Sequence, residues 1–198
     1  MLHIGVVALQ GDVSEHVDAI RRCMKHLVLE GDVVLVRRQG QVPKLDGLVI
    51  PGGESTTISR LMRSKGIDDE VVSFAKKGGS VMGTCAGAIL LAKEGDEQVR
   101  KTSTKLLSLM DMQVSRNAFG RQRESFEIGI EIGGLDAPYP GVFIRAPAIL
   151  RVWGGCRAVG RYKRNIVLAI QGNLMALTFH PELTRDTRVH EIFLRTLL

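Results

Sequence analysis

Cys85 stands between Gly83 and Gly87 in the run Ser80-Val81-Met82-Gly83-Thr84-Cys85-Ala86-Gly87-Ala88-Ile89-Leu90. A short apolar stretch precedes it and a helix-like stretch follows. Glycine-x-cysteine-x-glycine in that setting is the thiol form of a nucleophile elbow. A strand ends, the chain turns sharply, and the side chain at the tip stands clear of the backbone. The two glycines suit a crossing of strand and helix too close for a Cβ. A thiol at a helix start also feels the positive end of the helix dipole, which favours the nucleophilic thiolate. The alternative for this segment alone is a buried structural cysteine beside two packing glycines.

A thiol nucleophile needs a base, and the base needs an acid to orient it. Near the C-terminus, Leu174-Met175-Ala176-Leu177-Thr178-Phe179 is an apolar run that ends in His180-Pro181-Glu182. His180 and Glu182 are the candidate base and orienting acid, just past a strand end. Pro181 fixes the local backbone and has no N–H to leave unpaired. A His-x-Glu pair by itself is more often a surface turn. In the order Cys, His, Glu, with an elbow upstream, it is a candidate catalytic triad.

The elements that must position these groups follow from periodicity and turn residues. Leu2 to Leu9 reads as a first strand ending in Gln10-Gly11-Asp12. Ser14 is expected to cap a helix with the apolar stripe Val17, Ile20, Met24 and Leu27. Strands are expected at Asp32 to Val36 and Leu45 to Ile50, the latter running into Pro51-Gly52-Gly53-Glu54-Ser55-Thr56-Thr57. Helices follow near Ile58 to Ser64 and Asp68 to Lys76, then the strand Ser80 to Gly83, the elbow, and a helix to about Ala92. This rhythm predicts an α/β fold: a mostly parallel central sheet with helices on both faces. From about Met110 to Phe179 short β-like runs alternate with turns, which predicts an antiparallel C-terminal extension. Ile166 to Ile170 and Leu174 to Phe179 pair as a hairpin around Gln171-Gly172-Asn173. A helix over Asp186 to Leu197 closes the chain, with Val189, Ile192, Phe193 and Leu197 inward. Lys93 to Thr104 reads as a mobile loop. Ligands of such sheets bind beyond the carboxyl ends of the strands. Gln10, Gly52-Gly53, Cys85 and His180 all fall at such ends.

With 198 residues, 44% of them hydrophobic, the chain can bury one good core, and a single domain over residues 1–198 is expected. Met1 to Leu9 reads as a strand rather than a signal segment, and no apolar stretch is long enough to span a bilayer. The cysteines Cys23, Cys85 and Cys156 are three in number, far apart and without metal-type spacing. That pattern points to a reducing, cytoplasmic compartment, with no metal and no cofactor, and leaves Cys23 and Cys156 as packing residues. The net charge of +6 is scattered, and an aromatic content of 5% gives few stacking platforms, which argues against a nucleic-acid partner. Arg161-Tyr162-Lys163-Arg164 reads as a solvated hairpin. His16 and His190 are expected on helix surfaces.

The strings carry a resemblance. Gly83-Thr84-Cys85-Ala86-Gly87 with His180-Pro181-Glu182 is similar to the class I (triad) glutamine amidotransferases, whose fold is flavodoxin-like. Narrower signals are Leu9-Gln10-Gly11-Asp12, Gly52-Gly53-Glu54-Ser55-Thr56-Thr57, Arg116-Asn117-Ala118-Phe119-Gly120-Arg121-Gln122, Ser125-Phe126-Glu127, Phe143-Ile144-Arg145-Ala146-Pro147 and Phe179-His180-Pro181-Glu182-Leu183-Thr184. Together they resemble the glutaminase subunits of pyridoxal phosphate synthases, from end to end of the chain. Two departures, a long polar Glu94 to Thr104 and the extra charge of Arg121-Gln122-Arg123, are taken to lie apart from the chemistry.

The resemblance implies hydrolysis of L-glutamine to glutamate and ammonia. It implies delivery of the ammonia to a separate synthase subunit, a (β/α)8 barrel, within a large hetero-oligomer. Cys85 would form the glutamyl thioester, His180 would move the proton, and Glu182 would orient the imidazole. Backbone N–H groups of Ala86 and of the Gly52-Gly53 turn would hold the oxyanion. Gly53, Glu54, Ser55, Arg116, Ile144 and Arg145 would line the glutamine site. Gln10 would serve either the site or the partner interface. Two other readings stay open: a glutaminase serving another synthase, and a non-catalytic interaction subunit of the same fold.

Overall fold

The computed structural model describes residues 1–116 and 125–198. Five strands form the parallel half of the sheet: β1 (Leu2–Val7), β2 (Gly31–Val36), β3 (Gly47–Ile50), β4 (Ser80–Thr84) and β12 (Leu174–Leu177). Their order is β2-β1-β3-β4-β12. Every residue of β3 and β4 is buried. Strands covered on both faces read as unbroken apolar runs, as Leu48-Val49-Ile50 does. Successive side chains alternate across the sheet. Ile50 and Val81 enter one core cluster with Ile58, Met62, Val71 and Leu90, while Val49 and Met82 enter another with Ile20, Cys23, Phe193 and Leu194. Helices α2 (Ser55–Ser64), α3 (Ile67–Lys76) and α4 (Ala86–Leu91) therefore cover one face. Helices α1 (Val13–His26) and α6 (Arg188–Arg195) cover the other.

The C-terminal extension is antiparallel, as expected. Beyond β12 lie β11 (Asn165–Gln171), β10 (Arg157–Tyr162), β7 (Ser125–Ile132) and β8 (Tyr139–Ile144). The β11–β12 hairpin turns at Gly172, whose φ of 55° is one that glycine adopts readily. A branch of β5 (Ala92–Gly95), β6 (Met110–Ser115) and β9 (Ala148–Val152) joins the sheet through a β9–β11 pair. Among the described residues no helix is long and apolar enough to cross a membrane.

Three local expectations are corrected. The first helix begins at Val13 with Asp12 at its N-cap, and Ser14 bonds Glu15 instead of capping. Its inward face is His16, Ala19, Ile20, Cys23 and Met24, leaving Val17 and Leu27 half-buried. His16 and His190 are not on helix surfaces: both are buried, at 0% and 1% exposure. Segment 93–104 is not a loop. It holds most of β5 and the helix α5 (Glu97–Lys101), because Asp96 caps that helix through Val99 N–H at 3.0 Å and Val99 is buried.

Candidate active site

The parallel strands bring four chain turns to one sheet edge. β12 lies beside β4 with Leu177 opposite Thr84, and Cys85 N–H donates to the Leu177 carbonyl at 2.8 Å. The residues that follow each strand therefore start side by side. Cys85 has φ 46° and ψ −101°, a left-handed conformation uncommon for a side chain with a Cβ. Its neighbours make that turn possible. A Cβ on Gly87 would lie 2.1 Å from the Ile50 carbonyl oxygen, and one on Gly83 would lie 2.6 Å from the Gly87 carbonyl carbon. Helix and strand thus cross at a distance only glycine allows. Ala86 opens α4, so its N–H is among the first-turn donors that have no partner inside the helix.

His180 follows β12, and its backbone N–H donates to the Val142 carbonyl at 2.8 Å. Pro181–Leu183 form one 3-10 turn, which folds Glu182 back onto the imidazole. His180 Nδ1 and Glu182 Oε1 are 2.7 Å apart, with the two side chains 5% and 0% exposed. A second carboxylate faces the same nitrogen: Asp12 Oδ2 lies 3.4 Å away. Two acceptors on Nδ1 assign it the proton. Among the described residues Nε2 has no hydrogen-bond partner, which leaves it free for the thiol of Cys85.

Burial alone would lower the proton affinity of His180, but the nearby Asp12, Cys85 and Glu182 side chains outweigh it and hold the imidazole above its ordinary pKa. Burial pushes the Glu182 carboxyl up, against the downward pull of the same imidazole. The direction that governs the chemistry is that of His180, because three groups act on it together. The bond to His180, larger than the opposing effect of burial, lowers the Asp12 carboxyl. Behind Glu182, His16 Nε2 is 3.4 Å from Oε2 and 2.9 Å from Thr84 Oγ1. Burial, then the nearby His190 and His180, press His16 well below the ordinary range, so it is neutral. Asp12, His180 and Glu182 gather their donor atoms within 4.8 Å. A 2.7 Å contact between Nδ1 and Oε1 is that of a proton-carrying hydrogen bond, which occupies the position a metal ion would need.

The Gly52-Gly53 turn is wedged against the loop after β1. A Cβ on Gly11 would lie 1.7 Å from the Gly52 carbonyl oxygen, and that oxygen accepts from Asp12 N–H at 3.3 Å. Gly53 has φ 140° and, among the described residues, its N–H donates to no backbone carbonyl. Gln10 is a fastener of this turn: its Oε1 accepts from Glu54 N–H at 2.8 Å.

A cleft of about 710 Å³ opens over Cys85, with Gly53, Glu54, Ser55, Ala86, Arg116 and Arg145 among its walls. Ile144 is exposed at the end of β8 and is not among those walls. Glu54 caps α2. Although burial would raise its carboxyl, bonds from Thr57 and Thr56 and the charge of Arg116 take it down to about 2, so it is an anion. Arg116 donates to Glu54 and, at 3.1 Å, to both Thr56 and Thr102. Among the described residues, Ser55 Oγ is buried with no hydrogen-bond partner. The cleft thus sets an anion, a hydroxyl without a described partner and guanidinium groups beside the Cys85 thiol, groups that could pair with the charges of a small zwitterion. Glu94 to Thr104, expected to lie apart from the chemistry, supplies the further walls Gln98, Lys101 and Thr102. Asp96 pins it there by accepting from Ser115 Oγ at 2.7 Å and Arg116 N–H at 3.1 Å. Sequence reasoning also missed Asp12 and His16. Both carried a signal: Asp12 directly follows a strand-end glycine, and His16 sits four residues before Ile20. Residues Asn117 to Gln122 of the narrower resemblance lie outside the described residues.

Residues 6–198 match the SNO glutamine amidotransferase family. The chain is similar to a protein of Methanosarcina mazei named pyridoxal 5'-phosphate synthase subunit PdxT, 53% identical over 197 residues, covering 100% of this chain and 99% of that one. A protein of the same name from Archaeoglobus fulgidus is 53% identical and covers 98% of each. A solved structure described as a glutamine amidotransferase superposes with a TM-score of 0.87 at 44% identity, covering 98% of each chain. With the family model spanning nearly all of its length, the chain belongs to the SNO glutamine amidotransferase family.

Proposed function

We propose that this chain is the glutaminase subunit of a pyridoxal 5'-phosphate synthase, acting as one amidotransferase domain over residues 1–198. Cys85 thiolate attacks the side-chain amide carbon of glutamine. His180, having taken the thiol proton at Nε2, returns it to the departing ammonia and then activates water against the thioester. Glu182 keeps the Nδ1 proton in place and stabilises the imidazolium. The oxyanion is held by N–H groups of Ala86 and Gly53. Glu54 and Ser55 take the α-ammonium. Arg145 and the Arg116 donors not committed to Glu54, Thr56 and Thr102 take the α-carboxylate. The observation that carries the reading is the meeting of the strained Cys85 elbow and the buried His180–Glu182 pair under one polar cleft.

The name borne by the relatives supports a partner synthase subunit as receiver of the ammonia. We assign that partner a (β/α)8 barrel and a place in a large hetero-oligomer. The three unpaired cysteines support a cytoplasmic setting. The test is a reconstitution with the synthase subunit, a pentose phosphate, glyceraldehyde 3-phosphate and glutamine labelled with ¹⁵N in its amide. Pyridoxal phosphate carrying the label is expected. Label released only as free ammonia, or glutamine left intact, contradicts the proposal.

A further inference from the structure

Asp12 occupies the N-cap of α1 yet makes no side-chain capping bond. Capping is what an aspartate at that position ordinarily does. Its carboxylate instead turns to the sheet edge, where Oδ2 is 3.4 Å from His180 Nδ1. Space for that approach is kept by Gly52: a Cβ there would lie 2.6 Å from His180 Cε1 and 2.7 Å from Asp12 Oδ2. Glu182, at 2.7 Å and fully buried, is the primary partner of Nδ1. Its other oxygen faces His16, which is neutral and offers no balancing charge.

We propose that Asp12 is a second positioning carboxylate of His180, which shares Nδ1 with Glu182 and stabilises the imidazolium that forms when Cys85 gives up its proton. The inference rests on the reading of Cys85, His180 and Glu182 as the triad. The titratable groups facing His180 come from three elements: Cys85 from the elbow, Asp12 from the loop after β1, and Glu182 from its own turn. His16 of α1 stands behind Glu182, and His190 of α6 packs edge-on against His16. Among these, Asp12 is the half-exposed carboxylate, its side chain 38% exposed. For Asp12 the bond to His180 outweighs the effect of burial, so it faces the imidazole as an anion.

The test uses Asp12→Asn and Asp12→Ser in the full chain. Both keep the backbone N–H that donates to Gly52, and both can cap α1. Two readouts are taken: the pH profile of kcat/KM for glutamine with the synthase subunit, and the His180 imidazole midpoint by ¹⁵N NMR, assigned with His180→Asn. Removing a negative charge beside an imidazolium lowers its proton affinity. The NMR midpoint and the alkaline limb of the profile are both expected to move down by about one pH unit. Asp12→Glu is expected to return both toward wild type. A His180 midpoint that stays put in the folded variants overturns the proposal and leaves Asp12 as a helix-start residue. The NMR arm needs no turnover, so it decides on Asp12 even if the chain proves unable to hydrolyse glutamine, which would instead defeat the proposed function.

Discussion

Gly52→Ala should disable the site while sparing the fold. Gly52 does not lie in the left-handed region, so an alanine meets no backbone penalty there. What it meets is the site. The new methyl would lie 2.6 Å from His180 Cε1 and 2.7 Å from Asp12 Oδ2, whereas ordinary contact begins near 3.4 Å. The imidazole must then retreat by about 1 Å, and a misplacement of that size costs on the order of a hundredfold in rate. In free-energy terms this is about 2.7 kcal/mol of lost transition-state stabilisation. Overpacking should lower stability by about 1–3 kcal/mol. Glutaminase kinetics with the synthase subunit are the assay, beside urea unfolding of the same sample. The loss should fall on kcat more than KM, because the glutamine-binding walls are not displaced. Gly133→Ala is the control, since its methyl would have nothing nearer than Val159 O at 3.6 Å. A Gly52→Ala protein with wild-type kcat would refute the placement of His180 against this turn.

Cys85→Ala should fold normally and release no ammonia. A glutamine-like chloroketone should label Cys85 alone, because burial pushes the Cys23 thiol up to about 12 and the Cys156 thiol up to about 11; label at either by peptide mass spectrometry counts against this. His180→Asn should cost far more in kcat than Glu182→Gln, since one moves the proton and the other orients it; equal losses would contradict those roles. Glu54 has a folded value of about 2 against an ordinary 4.5, so its stabilising contribution is full above about 4.5 and is lost as pH falls through about 2. The stability gap between wild type and Glu54→Gln in urea should therefore narrow over that acid window, and a gap that widens on acidification would be inconsistent with the Arg116 pairing.

The proposed nucleophile, Cys85, and its proposed base, His180, were readable because each is announced by its own string. Gly83 and Gly87 mark a crossing that the structure makes too close for any Cβ, and Pro181 marks the turn that returns Glu182 to His180. The parallel half of the sheet was readable from its unbroken apolar runs. Asp12 carried only the local signal of following a strand-end glycine; its approach to His180 depends on Gly11 packing against Gly52, a contact between segments some forty residues apart that the local pattern does not show. His16 was misplaced because the stripe was phased on Val17; phasing it on Ile20 and Cys23 puts His16 inward. Polar composition made 93–104 look like a loop, yet Asp96 anchors it from within by bonds to Val99, Ser115 and Arg116. Gln98, Lys101 and Thr102 of that polar run line the cleft.

The central claim is that Cys85 carries the glutamyl group. It is tested most directly by acid-quenching the chain during turnover of glutamine with its synthase subunit and mapping the peptides by mass. The account predicts one glutamyl adduct, on the peptide holding Cys85, which vanishes on treatment with hydroxylamine and is absent from Cys85→Ala. Sustained glutamine hydrolysis by Cys85→Ala, or an adduct on Cys23 or Cys156 instead, would contradict it.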